Sequence, residues 1–111
     1  MPNEITEKDW KLFRRLHEVA LERFCKRILE EVQDLAGSST GSCHDRYLRV
    51  YQLMKTRDKA IAAAFNDLRR STAFIALAII VNTGFLTEAE LDQFSSEARQ
   101  IVDVYLDIKR A

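Results

Sequence analysis

Histidine and cysteine are the residues whose chemistry could bind a metal ion, and they occur in two places. His17 and Cys25 are eight positions apart, whereas Cys43 and His44 are adjacent. Two ligands on one helix bind the same ion when they are three or four positions apart, because that spacing places them on one face. Neither pair has this spacing, so we predict no metal site from them and leave open a site assembled across helices.

The segment GFLTEAEL, residues 84–91, resembles the second half of a calcium-binding EF-hand loop. If Gly84 took the sixth loop position, the earlier ligand positions would fall on Ile79, Val81 and Thr83. Calcium needs several oxygen ligands, and two of these three side chains are aliphatic. We therefore interpret the segment as a turn glycine followed by a capped helix start, with no bound calcium.

Catalytic motifs are missing from the sequence. It contains no GxSxG, HExxH, phosphate-binding loop or GxGxxG pattern, and no Glu-x-x-His pair of the kind that builds sites in helical bundles. The carboxylates on the first helix are typical of a solvated face. We accordingly expect no enzymatic activity, no catalytic residue and no cofactor.

Basic doublets give a different kind of candidate site, one for nucleic acid. They occur at Arg14-Arg15, Lys26-Arg27 and Arg69-Arg70. Lys plus Arg and Asp plus Glu both number 17, so the net charge is zero and the usual driving force for phosphate binding is weak. Nucleic-acid binding is therefore disfavoured. The alternative that stays open is a patch at Arg69 and Arg70, doubled by symmetry in a dimer.

Composition indicates one folded domain. A chain of 111 residues has the size of a single unit, and its 47% apolar and 31% charged residues are typical of a globular protein. Two cysteines are too few for a disulfide framework, and the N-terminal ten residues lack the pattern of a signal peptide. We expect a cytoplasmic location and no membrane insertion.

The first helix is predicted over residues 7–36. Thr6 begins it, because a hydroxyl followed three positions later by an acidic side chain caps free backbone N–H groups. Gly37 ends it, since glycine readily takes the left-handed conformation that closes many helices. Ser42 starts a second helix in the same way, predicted over residues 43–55. The residues of this helix predicted to face the core are Tyr47, Leu48, Tyr51 and Met54.

The third helix is predicted over residues 59–82. Charged residues at 55–59 interrupt the apolar pattern, so we place a break there. The apolar stripe then passes through Arg69 and Arg70 without losing phase, which indicates one continuous helix.

The last helix is predicted over residues 88–109. Gly84 ends the helix before it, and Thr87 provides another capping pattern. The stripe keeps its phase across Ser95 and Ser96, so these serines indicate a kink at most.

Residues 73–81 read AFIALAIIV and have no polar face. Nine residues are too few to cross a bilayer, which takes about 20. A helix that is apolar on all sides must be surrounded by protein, either by its own chain or by a second copy. We predict a homodimer on this ground. The residues predicted to form the interface or core seam are Phe74, Leu77, Ala78 and Val81.

Short segments at residues 8–14, 68–71 and 84–87, with Glu90-Leu91 and Phe94-Ser95, resemble a group of small all-helical bacterial proteins of unknown function. The resemblance implies a bacterial origin and a helical fold, and it implies no activity.

Taken together, the patterns predict an all-α single domain, residues 1–111. It would be an up-down bundle of four long helices, or of five if a kink divides the last. The function expected is a protein–protein interaction or regulatory module that acts as a homodimer and binds an unidentified protein partner. The alternative is a nucleic-acid-associated helical regulator that uses the arginine doublets.

Overall fold

The computed structural model describes the backbone of residues 4–110 and the side chains of residues 4–107. The domain predicted over residues 1–111 therefore extends at both ends beyond the described residues. Within residues 4–110 the chain forms α-helices and one 3₁₀ turn and no β-strand, so it is all-α as predicted. The elements are α1 (Glu7–Ala36), α2 (Cys43–Phe65), the 3₁₀ turn (Arg70–Thr72), α3 (Ala73–Asn82), α4 (Glu88–Leu91) and α5 (Ser96–Arg110).

α1 covers the predicted range and begins at the predicted cap. The hydroxyl of Thr6 accepts a hydrogen bond from the backbone N–H of Asp9 at 3.2 Å. The prediction that Gly37 closes the helix in the left-handed conformation is wrong, because its φ is −87°. The glycines with positive φ are Gly41, just before α2, and Gly84, just after α3. In the loop between α1 and α2, the glycine in the left-handed conformation is therefore Gly41, next to the cap of α2, and not Gly37 at the end of α1.

α2 continues through the charged segment at residues 55–59, so the predicted break there is wrong. Arg57 lies on the inner side of the helix and donates a hydrogen bond to Glu31 of α1 at 2.8 Å. The other four charged or polar residues of the segment are exposed. Neither glycine nor proline occurs between residues 43 and 65, and charged side chains by themselves do not end a helix.

The helix is interrupted instead between α2 and α3, so the prediction of one continuous helix over residues 59–82 is wrong. Thr72 Oγ1 donates to the backbone oxygen of Asp67 at 2.9 Å, and Arg69 donates to the Asp67 carboxylate at 2.8 Å. Such local hydrogen bonds compete with those of a helix. The interruption, residues 66–72, has the length of about two helical turns. For this reason the apolar stripe keeps its phase across a real break.

α4 and α5 are separate helices rather than one helix with a kink, because Ser95 caps the start of α5. Its hydroxyl accepts a hydrogen bond from Ala98 N at 3.1 Å. Ser95 N and Oγ also donate to the two carboxylate oxygens of Asp9, at 3.1 and 2.6 Å. Asp9 is buried in the first turn of α1. This contact ties the beginning of α1 to the beginning of α5.

The core lies where α3 and α5 pack against each other and against α1. α2 adds its last two residues, Ala64 and Phe65. Phe85, in the loop after α3, stacks on Phe24 of α1 with ring centroids 4.6 Å apart. The other buried apolar residues are Ile5, Phe13, Leu16, Ala20, Ile28, Ala73, Phe74, Ala76, Leu77, Ala78, Ile80, Phe94, Ala98, Val102 and Leu106.

α1 and α2 form an antiparallel hairpin that extends beyond this core. Arg57 binds Glu31, whereas Arg46, earlier in α2, binds the backbone oxygen of Ala36, later in α1. The principal extents are 56 × 27 × 22 Å and the Cα radius of gyration is 16.8 Å. A compact chain of this length would have a radius of about 13 Å. The hairpin therefore makes the molecule elongated.

Candidate functional site: an exposed face on the second helix

The residues predicted as an interface or core seam lie mostly in the core of their own chain. Phe74, Leu77 and Ala78 are buried, with Leu77 completely inaccessible, and Val81 is partly buried. The exposed apolar side chain of α3 is Ile75, at 47%. Because α1, α2 and α5 already cover most of α3, this helix leaves little apolar surface for a second copy.

The predicted basic patch is engaged in ion pairs. Arg69 binds Asp67 through two nitrogens, and these hydrogen bonds lower the pKa of the Asp67 carboxyl. Arg70 donates to Glu7 at 2.6 Å, and its guanidinium lies 5.6 Å from the ring centroid of Trp10. Both positive charges are thus offset by a neighbouring carboxylate, which weakens the case for phosphate binding at this doublet.

A different basic surface occurs on the first half of α1. Lys8, Lys11, Arg14 and Arg15 recur on consecutive turns and line two adjacent shallow grooves that have Lys11 and Arg15 in common. None of the four forms an ion pair within the part of the chain that the structure describes. We call this surface the basic strip.

The main departure from the sequence prediction is on α2. Tyr47, Leu48, Tyr51 and Met54 were predicted to face the core, yet all four are exposed, from 42% for Leu48 to 63% for Tyr47. They follow one another at spacings that place them on one side of the helix. We call this surface the outer face of α2.

A second row of α2 residues explains why the outer face is uncovered. The residues that pack toward α1 recur every three or four positions, and they are Arg46, Val50, Leu53, Arg57, Ala60 and Ala64. At about 100° per residue, Tyr47 and Tyr51 point roughly 100–140° away from this row. α3 reaches the end of α2 nearest Phe65 and leaves its earlier turns free, since Ala64 and Phe65 are the buried residues of this fully described helix.

The outer face belongs to a well-anchored helix. Ser42 and Asp45 form a reciprocal capping box at its first turn. Arg46 donates to the backbone oxygens of Ala36 and Ser38, both at 2.9 Å, and so connects the first turn of α2 to the end of α1. Arg57, bound to Glu31, makes a second connection to α1, so α2 is paired with α1 on the side opposite the outer face.

The size of the outer face falls within the range of the largest apolar patches found on soluble monomers. A large aromatic side chain has about 150–250 Å² to bury, so four large side chains that are each about half exposed present on the order of 400 Å². The largest apolar patches of soluble monomers measure roughly 300–600 Å² and are often functional. The face also has polar ends, since His44 stacks on Tyr47 at 6.3 Å and Asp58 lies one turn beyond Met54.

A shallow groove adjoins the outer face at the tip of the hairpin. It has a volume of about 320 Å³ and is lined by Ala36, Cys43, Arg46, Tyr47 and Val50. Arg46 Nη2 donates to Cys43 Sγ at 3.2 Å. The groove is open and widens the apolar surface around Tyr47.

The described side chains form no group of three or more metal ligands suited to one ion. None of the helices in the described range combines the length and the apolar character that a membrane span requires.

One signal in the sequence could have identified the outer face. α2 carries two apolar rows, Val50 and Leu53 in one, Tyr47 and Tyr51 in the other. One partner helix covers one row, so a second row on the same helix requires a second partner. The chain matches no protein-family model, no curated protein and no solved structure.

Proposed function

We propose that this protein is an interaction module that forms a homodimer through the outer face of α2. The observation that supports this proposal is the row formed by Tyr47, Leu48, Tyr51 and Met54, exposed on a helix that is firmly paired on its opposite side. The proposal moves the dimer seam from α3 to α2, because the chain itself covers Phe74, Leu77 and Ala78.

The apolar area of the outer face favours self-association. Burying about 400 Å² on each of two copies contributes about 20 kcal/mol at about 25 cal/mol per Å². Association costs roughly 4–15 kcal/mol, and ordering of side chains adds to this cost. The difference between the burial term and these costs spans the free energy of about 8 kcal/mol that corresponds to a dissociation constant of about a micromolar. The polar residues around the face would bring the buried area closer to the roughly 800 Å² per partner of a stable complex.

The test is sedimentation equilibrium of three proteins between about one and 100 times the expected dissociation constant. Wild type is expected to be a dimer at the upper concentrations. Tyr51→Glu is expected to be a folded monomer, because it places a charge in the middle of the outer face. The matched control is Val104→Glu, which introduces the same charge at an apolar residue of α5 that is 58% exposed.

Val104→Glu should dimerise like wild type, and circular dichroism should show all three proteins equally helical. A wild-type monomer at the highest concentration would contradict the proposal. So would a Tyr51→Glu protein that dimerises as tightly as wild type.

A second candidate function is contact with the phosphates of a nucleic acid through the basic strip. It is supported by four cations on consecutive turns of α1 that have no carboxylate partner among the described residues. It differs from the predicted alternative, since Arg69 and Arg70 are neutralised. Binding that weakens steeply with salt and is lost in an Arg14→Glu, Arg15→Glu double variant would support it. Dimerisation through apolar side chains should be nearly independent of salt.

A further inference from the structure

We infer that the two copies pair through α2 in antiparallel orientation, with Tyr51 and Met54 of each copy packed around the two-fold axis. This inference rests on the proposed function and adds the orientation and register of the pairing. The occupant of the outer face is a second copy of this chain, because the order of side chains along the face is complementary to itself.

The line that runs lengthwise along the outer face passes through Tyr47, Tyr51 and Met54 and ends at Asp58, at spacings of four, three and four. This is the spacing with which one helix packs along another. The same row continues to Ile61 and Phe65, where it enters the chain's own core. A second α2 can therefore continue, toward the hairpin tip, the packing that α3 provides near Phe65.

A parallel arrangement about a two-fold axis would place every residue opposite its own copy. Asp58 would face Asp58 and Lys55 would face Lys55, and all of these are exposed charges. Like charges that face each other across an interface are repulsive. The dipoles of two 23-residue helices would also point the same way. Charge disfavours the parallel orientation.

The antiparallel arrangement matches unlike residues. When Tyr51 packs against Met54 of the second copy, the same symmetry places Tyr47 opposite Asp58 of the second copy. A thioether beside an aromatic ring is a favourable contact. At each end, the carboxylate of Asp58 lies beside the stacked rings of His44 and Tyr47, whose N–H and O–H groups can donate to it. The face is complementary to itself in this register.

The hairpin geometry agrees with this arrangement. α1 and α2 are antiparallel within each chain. Two α2 helices that are antiparallel to each other give the order α1, α2, α2, α1 with directions that alternate throughout. This is the up-down arrangement of antiparallel helical bundles. The four-helix up-down bundle expected from the sequence is thus proposed for the pair of hairpins.

The test is disulfide cross-linking in a background that lacks Cys25 and Cys43, both replaced by serine. Two chains are made in this background, Tyr47→Cys and Asp58→Cys, at positions exposed in the monomer. They are oxidised mildly, separately and as an equimolar mixture, above the dissociation constant measured for the background protein.

In the proposed register, position 47 lies opposite position 58 of the second copy, while like positions are about 16 Å apart along the helix axis. A disulfide needs Cα atoms within about 7 Å. The mixture should therefore give a covalent heterodimer, linked between positions 47 and 58 by mass spectrometry, and each single variant alone should give none.

The outcomes separate the two proposals. Covalent homodimers of the separate variants would overturn the antiparallel orientation and leave dimerisation standing. If the background protein sediments as a dimer but neither the two cysteine variants nor their mixture forms a cross-link, the proposed register is wrong. A background protein and a wild type that are both monomeric would overturn the proposed function, and this inference with it.

Discussion

His17 is a buried titratable side chain between two aromatic rings of the core. Its ring centroid lies 5.6 Å from that of Phe13 and 5.0 Å from that of Phe65, both in edge-on geometry. Burial lowers the pKa of His17 below its ordinary value of 6.5, while the backbone of Phe65 and the charge of Glu18 act in the opposite direction. The folded protein thus favours the neutral imidazole.

The free energy of unfolding should consequently depend on pH near neutrality. Above pH 6.5 His17 is neutral in both the folded and the unfolded protein, so its titration takes nothing from the free energy of unfolding. As the pH falls below 6.5 toward the lower pKa of the folded state, the unfolded chain binds a proton and the folded protein loses stability. One proton gives a slope of at most about 1.4 kcal/mol per pH unit. Urea unfolding of dilute protein at pH 7.5, 6.5 and 5.5 measures the slope.

His17→Gln should remove most of this slope, although the variant itself will be less stable. His44→Gln is the matched control, because it replaces the other histidine of the chain, which is exposed at the start of α2. If the slope persisted in His17→Gln and disappeared in His44→Gln, the pH dependence would come from His44 and the prediction would be wrong.

The exposure of individual side chains is what the sequence predicted least well. Leu77 was predicted to lie in an interface or core seam, and the chain itself encloses it. Tyr47 and Tyr51 were assigned to the core by the same periodicity, yet they are exposed. Periodicity indicates which side of a helix is apolar and does not indicate whether its own chain supplies the cover.

At the scale of the elements, an ion pair connects the short helix α4 to α1. The guanidinium of Arg23 donates to both carboxylate oxygens of Glu90, at 2.7 and 2.9 Å, and also to the backbone oxygen of Phe85 at 3.0 Å. Arg23 is the main reason that the pKa of Glu90 is lowered to about 2, with hydrogen bonding to Thr87 as a further cause. These contacts connect the four-residue helix and the loop before it to α1.

Glu90→Gln should destabilise the protein by about 1–2 kcal/mol, a value reduced from the full pKa shift because Arg23 is partly solvated. The wild-type contribution is complete above pH 4.5 and is lost as the pH falls from 4.5 toward about 2. Urea unfolding at pH 7 measures the difference. Glu88→Gln is the control, since Glu88 is exposed on the same short helix and should change stability by less than about 0.5 kcal/mol.

Helix ends were predictable where a capping residue marks them. Thr6 and Ser42 both cap as expected, because a hydroxyl that can bond a free N–H has the same effect in any fold. The end of α2 was missed since no glycine or proline marks it. Asn66 and Asp67 are the signal that was present, as both residue types favour turns through local side-chain hydrogen bonds.

At the scale of the whole molecule, stability is distributed unevenly along the chain. α3 is packed on several sides and α5 buries one face against it, whereas the hairpin beyond the core is held by the pairing of α1 with α2. Segments with few buried contacts open locally at a lower free energy than the core. The outer hairpin is therefore the part of the monomer that should open most readily.

Hydrogen exchange should reveal this gradient and its dependence on association. Amides of residues 44–54 should exchange faster than those of residues 74–80 when the protein is dilute, and should slow several-fold when it is concentrated enough to dimerise. Tyr51→Glu should show the same gradient at both concentrations. Equal exchange in residues 44–54 of wild type at both concentrations would contradict burial of the outer face.

The contact between Asp9 and Ser95 has a consequence for how the chain is made. These residues are 86 positions apart, and the buried carboxylate of Asp9 receives both of its described hydrogen bonds from Ser95. The α1/α2 hairpin, by contrast, closes over a short loop, and its pairing involves only residues 7–65. On the ribosome, the buried contact of Asp9 therefore forms only after Ser95 has emerged, whereas all residues of the outer face of α2 emerge earlier.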